Sequence, residues 1–134
     1  MKTTRLMAAA LLVATLGGMG PLAYAQQPSG LGRTDVLQHD LGIAGREVVQ
    51  VRVDFAPGVL APRHSHPGVE VAYVLEGTIE YQIDGKPPVT LRKGDALFIP
   101  DGAIHSARNV GDSKASELAT YIVEKGKPGF MPAK

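Results

Sequence analysis

From Arg46 onward the chain alternates. In REVVQVRVDF, residues 46–55, Val49, Val51, Val53 and Phe55 alternate with Gln50, Arg52 and Asp54. A period of two is that of a strand with one face buried and the other in water. TIEYQI repeats it, with Ile79, Tyr81 and Ile83 set against Thr78, Glu80 and Gln82, and the following Asp84-Gly85 is a strong hairpin signal. Glu70 to Leu75, Val89 to Leu91, Ala96 to Ile99, His105 to Asn109 and Leu118 to Val123 continue the series, each bounded by Gly, Pro, Asn or Asp. Beyond the N-terminal segment no window of about eleven residues carries an apolar stripe of helical period. Short strands with turns every eight residues or so bury their apolar faces by packing sheet on sheet or by closing, so the expected class is all-β, an antiparallel barrel or sandwich.

The ends of the chain read differently. Lys2 and Arg5 precede an apolar run from Leu6 to Leu16, and Ala23-Tyr24-Ala25 supplies small residues where a signal peptidase cuts. The run is shorter than the ~20 residues that span a bilayer, and no Arg-Arg pair marks export in the folded state. Residues 1–25 are therefore expected to be a Sec-type signal peptide cleaved after Ala25, placing the protein in the periplasm or outside the cell with no membrane attachment after cleavage. The expected organisation continues with an N-terminal arm over 26–45, a barrel over 46–124 and a tail over 125–134. Loss of the leader, which holds Lys2 and Arg5 and no acid, would take the formal net charge from +1 to −1, and no basic face for nucleic acid is implied. With no cysteine, stability rests on the core without disulfides.

Against this background the histidines are unevenly placed. The chain has four, His39, His64, His66 and His105, and two of them lie in HSHPGVE, residues 64–70. Side chains at i and i+2 of an extended segment share a face, so His64 and His66 aim the same way. Two inward imidazoles without partners would leave ring nitrogens needing hydrogen bonds in a poorly hydrated space, whereas a shared metal satisfies them. Pro67-Gly68 reads as a turn that brings Glu70 back beside the pair, and His105 opens a later strand after another turn, PDGAI. Taken singly, each His reads as a surface or hydrogen-bonded residue and Glu70 as an exposed strand charge. Their co-occurrence at these spacings argues for one site.

GVLAPRHSHPGVEVAYVLEG, from Gly58 to Gly77, fits G-x5-H-x-H-x3-E-x6-G at every fixed position, and GDALFIPDGAIHSARN, from Gly94 to Asn109, fits G-x5-P-x-G-x2-H-x3-N. These resemble the two motifs of the cupin superfamily, with the 16 residues Thr78 to Lys93 between them, a spacing similar to that of small single-domain, quercetinase-like members. The resemblance covers most of the chain beyond the leader and implies a small antiparallel β-barrel of the cupin, double-stranded β-helix or jelly-roll kind. It further implies one divalent transition metal bound by His64, His66, Glu70 and His105, with Glu70 also the candidate catalytic proton acceptor. Gly58, Gly77, Gly94, Gly102 and Pro100 then read as turn positions and Asn109 as a structural hydrogen-bonding residue, while His39 lies outside both motifs. A homodimer is the assembly the resemblance implies.

Three His and one Glu leave one or two positions open on a five- or six-coordinate ion. The mixed N/O set suits Fe, Mn, Ni, Cu or Zn without choosing among them, although folding outside the cytoplasm favours Cu or Zn by affinity. The leading expectation is a metal-dependent dioxygenase acting on a small phenolic or enolic substrate. A redox-neutral lyase or isomerase on a small sugar or oxo-acid, and a non-catalytic metal or small-ligand binding module, stand beside it, since one barrel hosts many chemistries. In each the partner is a small molecule.

Overall fold

The computed structural model describes residues 28–134; the leader expected over Met1–Ala25 lies outside the described residues. All the regular structure among them is strand: β1 (Leu31–Asp40), β2 (Arg46–Phe55), β3 (Leu60–Ser65), β4 (Gly68–Glu76), β5 (Thr78–Ile83), β6 (Val89–Arg92), β7 (Ala96–Ile99), β8 (His105–Asn109), β9 (Ala115–Glu124) and β10 (Met131–Pro132). They form two antiparallel five-stranded sheets, ordered β1-β2-β9-β4-β7 and β10-β3-β8-β5-β6. The fold is therefore an all-β jelly roll, as expected, with the two sheets separate rather than joined into a continuous hydrogen-bonded barrel.

The alternation positions the core. Val51, Val53 and Phe55 of β2, Ala72 and Val74 of β4, and Ala119, Tyr121 and Val123 of β9 face Ala61, Ile79, Tyr81, Leu91 and Ala107 of the other sheet in one buried cluster. Arg52 points outward, as the period of two requires, and pairs with Asp54 at 3.3 Å. Two glycines let the chain run where a side chain has no room. A Cβ on Gly68 would lie 2.1 Å from the Ile122 carbonyl oxygen, and one on Gly77, whose φ is +75°, would lie 2.7 Å from the Ala115 backbone. Both sit at the ends of β4, which packs tightly on β9.

Two segments are more ordered than their composition indicates. The segment read as an arm over 26–45 contains β1, ten residues paired along β2 from Leu31↔Phe55 to Asp40↔Glu47, with an irregularity between Asp35 and Leu37. Its side chains are mostly exposed; backbone hydrogen bonding on a sheet edge holds it, and that leaves no hydrophobic pattern to read. In the tail, Met131 and Pro132 of β10 pair with Ser65 and His64, Pro132 being tolerated because the strand is an edge.

Asn109 fastens these parts together. Its side chain donates to the carbonyls of Phe55 (3.1 Å) and Ser113 (2.8 Å) and accepts from Gly111 N (2.9 Å), in a site 1% exposed. Asn109→Ala would take the side-chain partner from the buried Phe55 carbonyl, the Ser113 carbonyl and the Gly111 amide and is predicted to cost roughly 1–3 kcal/mol, measurable as a lower urea midpoint with unchanged slope.

Candidate metal centre

A β-bulge builds the centre. β3 and β8 pair Ala61 with Ala107 and then His64 with His105, so β3 has one residue more than β8 between these points. The extra residue falls at Pro62-Arg63, both exposed between buried Ala61 and buried His64. Without it, strand alternation would turn His64 to the outside; with it, His64 and His105 face each other across the ladder on the inner side. Past Ser65 the chain crosses to the other sheet through His66 and Pro67, and β4 carries Glu70 on its inner face, opposite Ile99 of β7 and Tyr121 of β9. The turn at Pro100–Ala103, closed by Ala103 N to Pro100 O at 3.1 Å and tied to the His66 carbonyl through Gly102 N, delivers His105.

All four residues that the sequence singled out are thereby gathered, and all are buried. His64, His66 and His105 offer ring nitrogens within 4.8 Å of one another. Glu70 Oε2 lies 3.1 Å from His66 Nε2 and 3.2 Å from His105 Nε2. Each imidazole spends its other nitrogen on a backbone carbonyl: His64 Nδ1 on Pro62 (2.7 Å), His105 Nδ1 on Ala103 (2.9 Å) and His66 Nδ1 on Gly129. A carbonyl only accepts, so each Nδ1 carries the hydrogen and, in the neutral ring, each Nε2 holds a lone pair. Lone pairs of His66 and His105 then face a carboxylate oxygen at hydrogen-bond distance, and His66 Nε2 and Glu70 Oε2 are left with no hydrogen-bond partner. Such an arrangement is repulsive unless positive charge sits among these atoms, as protons on the rings or as one shared cation. Two or three neutral imidazoles with a carboxylate, oriented by backbone carbonyls behind them, are the donor set of a transition-metal site.

The electrostatics agree. Burial, followed by the charge of His105, pushes the His64 imidazolium pKa down to about 3, so the ring is neutral and ready to donate. Burial works against ionisation of Glu70, but contact with His105 and His66 outweighs it and holds its carboxyl at about 2. Burial also works against the charge on His105, and contact with Glu70 raises it overall.

Sequence reasoning missed Glu117, Tyr121 and Arg33, which border the same space. A cavity of about 20 Å³, enough for a water or an ion, is lined by His64, Glu70 and His105 together with Tyr81, Glu117, Tyr121 and Arg33. Glu117 is buried, and the Tyr81 hydroxyl donates to its carboxyl group. Burial and then the negative charge of Glu70 raise the Glu117 pKa to about 8, while burial raises both Tyr81 and Tyr121. The signal for Glu117 was available: starting the last long strand at Ala115 rather than Leu118 puts Glu117 in phase with inward Ala119, Tyr121 and Val123. Arg33 lies in β1, which has no legible pattern. His39 is exposed on β1, bonded to the Asp40 carbonyl, and is not part of the cluster.

The Cupin domain family matches residues 51–125 of the chain. Similar curated proteins include Germin-like protein subfamily 2 member 1 of Arabidopsis thaliana, 40% identical over 75 residues that make up 52% of this chain and 34% of that protein. An auxin-binding protein of Prunus persica is 39% identical over 85 residues, 60% of this chain and 41% of its own. The chain thus spans less than half the length of these relatives. Among solved structures, oxalate oxidase in complex with glycolate is 28% identical with a TM-score of 0.64, covering 79% of this chain and 56% of that one. A DMSP lyase of Ruegeria pomeroyi is 27% identical with a TM-score of 0.58, covering 64% and 43%.

The two buried acids predict a pH dependence for the metal-free protein. Glu117 keeps its proton in the folded state up to about pH 8, whereas an unfolded glutamate loses it near its ordinary value of 4.5. The folded state therefore binds more protons across this window, and stability falls as pH rises through it. Glu117→Gln is predicted to flatten the fall between roughly pH 6.5 and 8 by about 1–2 kcal/mol. Urea unfolding of both proteins in chelator over a pH series checks this; parallel curves would contradict it.

Proposed function

As the chain belongs to the cupin domain family, a fold that does not by itself assign a reaction, we propose from its own residues that it is a metal-dependent enzyme of dioxygenase or oxidase type acting on a small, oxygen-rich substrate. His64, His66, Glu70 and His105 are the proposed ligands of one divalent transition metal. The observation that carries this reading is the convergence of Nε2 lone pairs on the Glu70 carboxylate, with every Nδ1 tied to a carbonyl. When bound, the metal would supply Lewis acidity and, for a redox-active ion, a route for electrons between substrate and O₂.

The chain's own groups account for the remainder. Glu70, ionised and without a hydrogen-bond partner at Oε2, can take a proton from a substrate hydroxyl as that oxygen approaches. Glu117, protonated at neutral pH and hydrogen-bonded to Tyr81, holds a proton in the same cavity. Two carboxyls in one cavity with pKa values driven apart is the arrangement that divides base and acid roles. Val53, Ala61 and Ala107 complete the lining and keep water out. The likeness to oxalate oxidase with glycolate favours the enolic or small-acid end of the expected substrates over a flavonol-sized phenol.

A redox-neutral lyase is the second reading, favoured by the protonated Glu117–Tyr81 pair, which serves proton transfer without oxygen, and by the likeness to the DMSP lyase. Export through the segment Met1–Ala25, action in the periplasm or beyond, and assembly as a homodimer belong to the proposal as well.

Metal analysis of protein taken from its own compartment is predicted to give one ion per chain, reduced to background in the His64→Ala, His66→Ala double variant. Oxygen consumption with small enolic compounds, glycolate or oxalate supports the oxidase reading. Metal-dependent turnover without oxygen supports the lyase. Full occupancy with neither would leave a binding module and overturn the enzymatic proposal.

A further inference from the structure

The C-terminal residues belong to neither motif, yet they touch two of the four clustered side chains. β10 pairs Met131 with Ser65 and Pro132 with His64, and Ala133 N donates to Arg63 O at 3.0 Å, so the tail lies antiparallel along β3. This register brings the Gly129 carbonyl onto His66 Nδ1 and lays the Phe130 ring on His64, with centroids 4.4 Å apart and planes 22° from parallel. His64 and His105 find their Nδ1 acceptors two residues upstream in their own segments, at Pro62 and Ala103. His66 finds its acceptor 63 residues away. Of the three rings, only His66 depends on a distant segment for its tautomer.

We propose that Gly129 and Phe130 are positioning residues of the centre: the C-terminal strap fixes the tautomer of His66 and the plane of His64, and thereby sets metal affinity. The inference rests on the metal reading above. A neutral imidazole released from its Nδ1 acceptor divides between two tautomers, and the form with hydrogen on Nε2 has no lone pair for an ion among these residues. Phe130 acts on a second ring of the site, His64. Its ring covers one face of His64, limits rotation of that ring and excludes water, which would otherwise compete for the open nitrogen. The strap is short, held by a two-residue ladder at the edge of its sheet, and its sequence, KPGFMPA, supplies no core residues. From Gly129 on it meets the centre and β3.

The test is a Zn²⁺ competition titration against a chromophoric chelator, using the unaltered chain, Phe130→Ala, Phe130→Tyr and a chain ending at Lys125. Loss of an outer partner of a ligand weakens metal binding by about 10- to 100-fold. Phe130→Ala is predicted at the lower end of that range and the shortened chain at the upper end, with Phe130→Tyr, which keeps the ring, within about two-fold of the unaltered chain. The ¹⁵N shifts of the His66 imidazole report its tautomer directly: hydrogen on Nδ1 in the unaltered metal-free chain, a mixture in the shortened one. Circular dichroism establishes that each variant is folded; if the shortened chain is not, Phe130→Ala and its rescue by Phe130→Tyr decide. Unchanged Zn²⁺ affinity in Phe130→Ala and in a folded shortened chain would overturn the proposal and leave the metal reading standing. No Zn²⁺ binding by the unaltered chain would sink both.

Discussion

Three imidazoles share one constraint: their Nδ1 hydrogens are committed to backbone carbonyls, so their Nε2 lone pairs must face inward, toward one another and toward a carboxylate. In a dry interior that arrangement requires positive charge at its centre. Much of the surrounding architecture serves to maintain it. The bulge at Pro62-Arg63 turns His64 inward, the crossing after Ser65 carries His66 to the seam between sheets, and the Pro100–Ala103 turn presents His105 opposite His64. Each of these is a local irregularity in a regular ladder, and irregularities are where sheets re-aim side chains.

Beyond the four clustered residues, the interior holds a second acid. Glu70 and Glu117 lie in the same small cavity but have different company, imidazoles for one and a tyrosine hydroxyl for the other. Burial penalises ionisation of both; contact with His105 and His66 overcomes it at Glu70, whereas at Glu117 burial and the negative charge of Glu70 outweigh Tyr81, His105 and Arg33, so one is ionised and the other keeps its proton. The Glu117–Tyr81 pair therefore has a chemistry of its own, which neither motif encodes.

What could be read from the sequence follows from how far apart the interacting residues lie. β2 and β5 were legible because alternation is a local property, and Val51, Val53, Ile79 and Tyr81 face the core as their phase requires. The four clustered residues were legible through fixed spacing within short segments, and Asn109 through its place in the second motif. β1 was not, because an exposed edge strand needs no apolar face. The bulge in β3 was not either: His64 and His66 were placed on one face by simple alternation, whereas the extra residue before His64 decides which face that is. The tail pairing joins residues more than sixty positions apart, and nothing local in KPGFMPA announces it.

X-ray absorption at the metal edge of the loaded protein tests the central claim most directly, because it counts the atoms around the ion. Three imidazole nitrogens and at least one oxygen in the first shell, with metal–nitrogen distances of about 2.0–2.1 Å for zinc, are the predicted result. A shell of oxygens alone, or one with a single imidazole, would contradict the account, since the lone pairs that converge on Glu70 would then be serving some other charge.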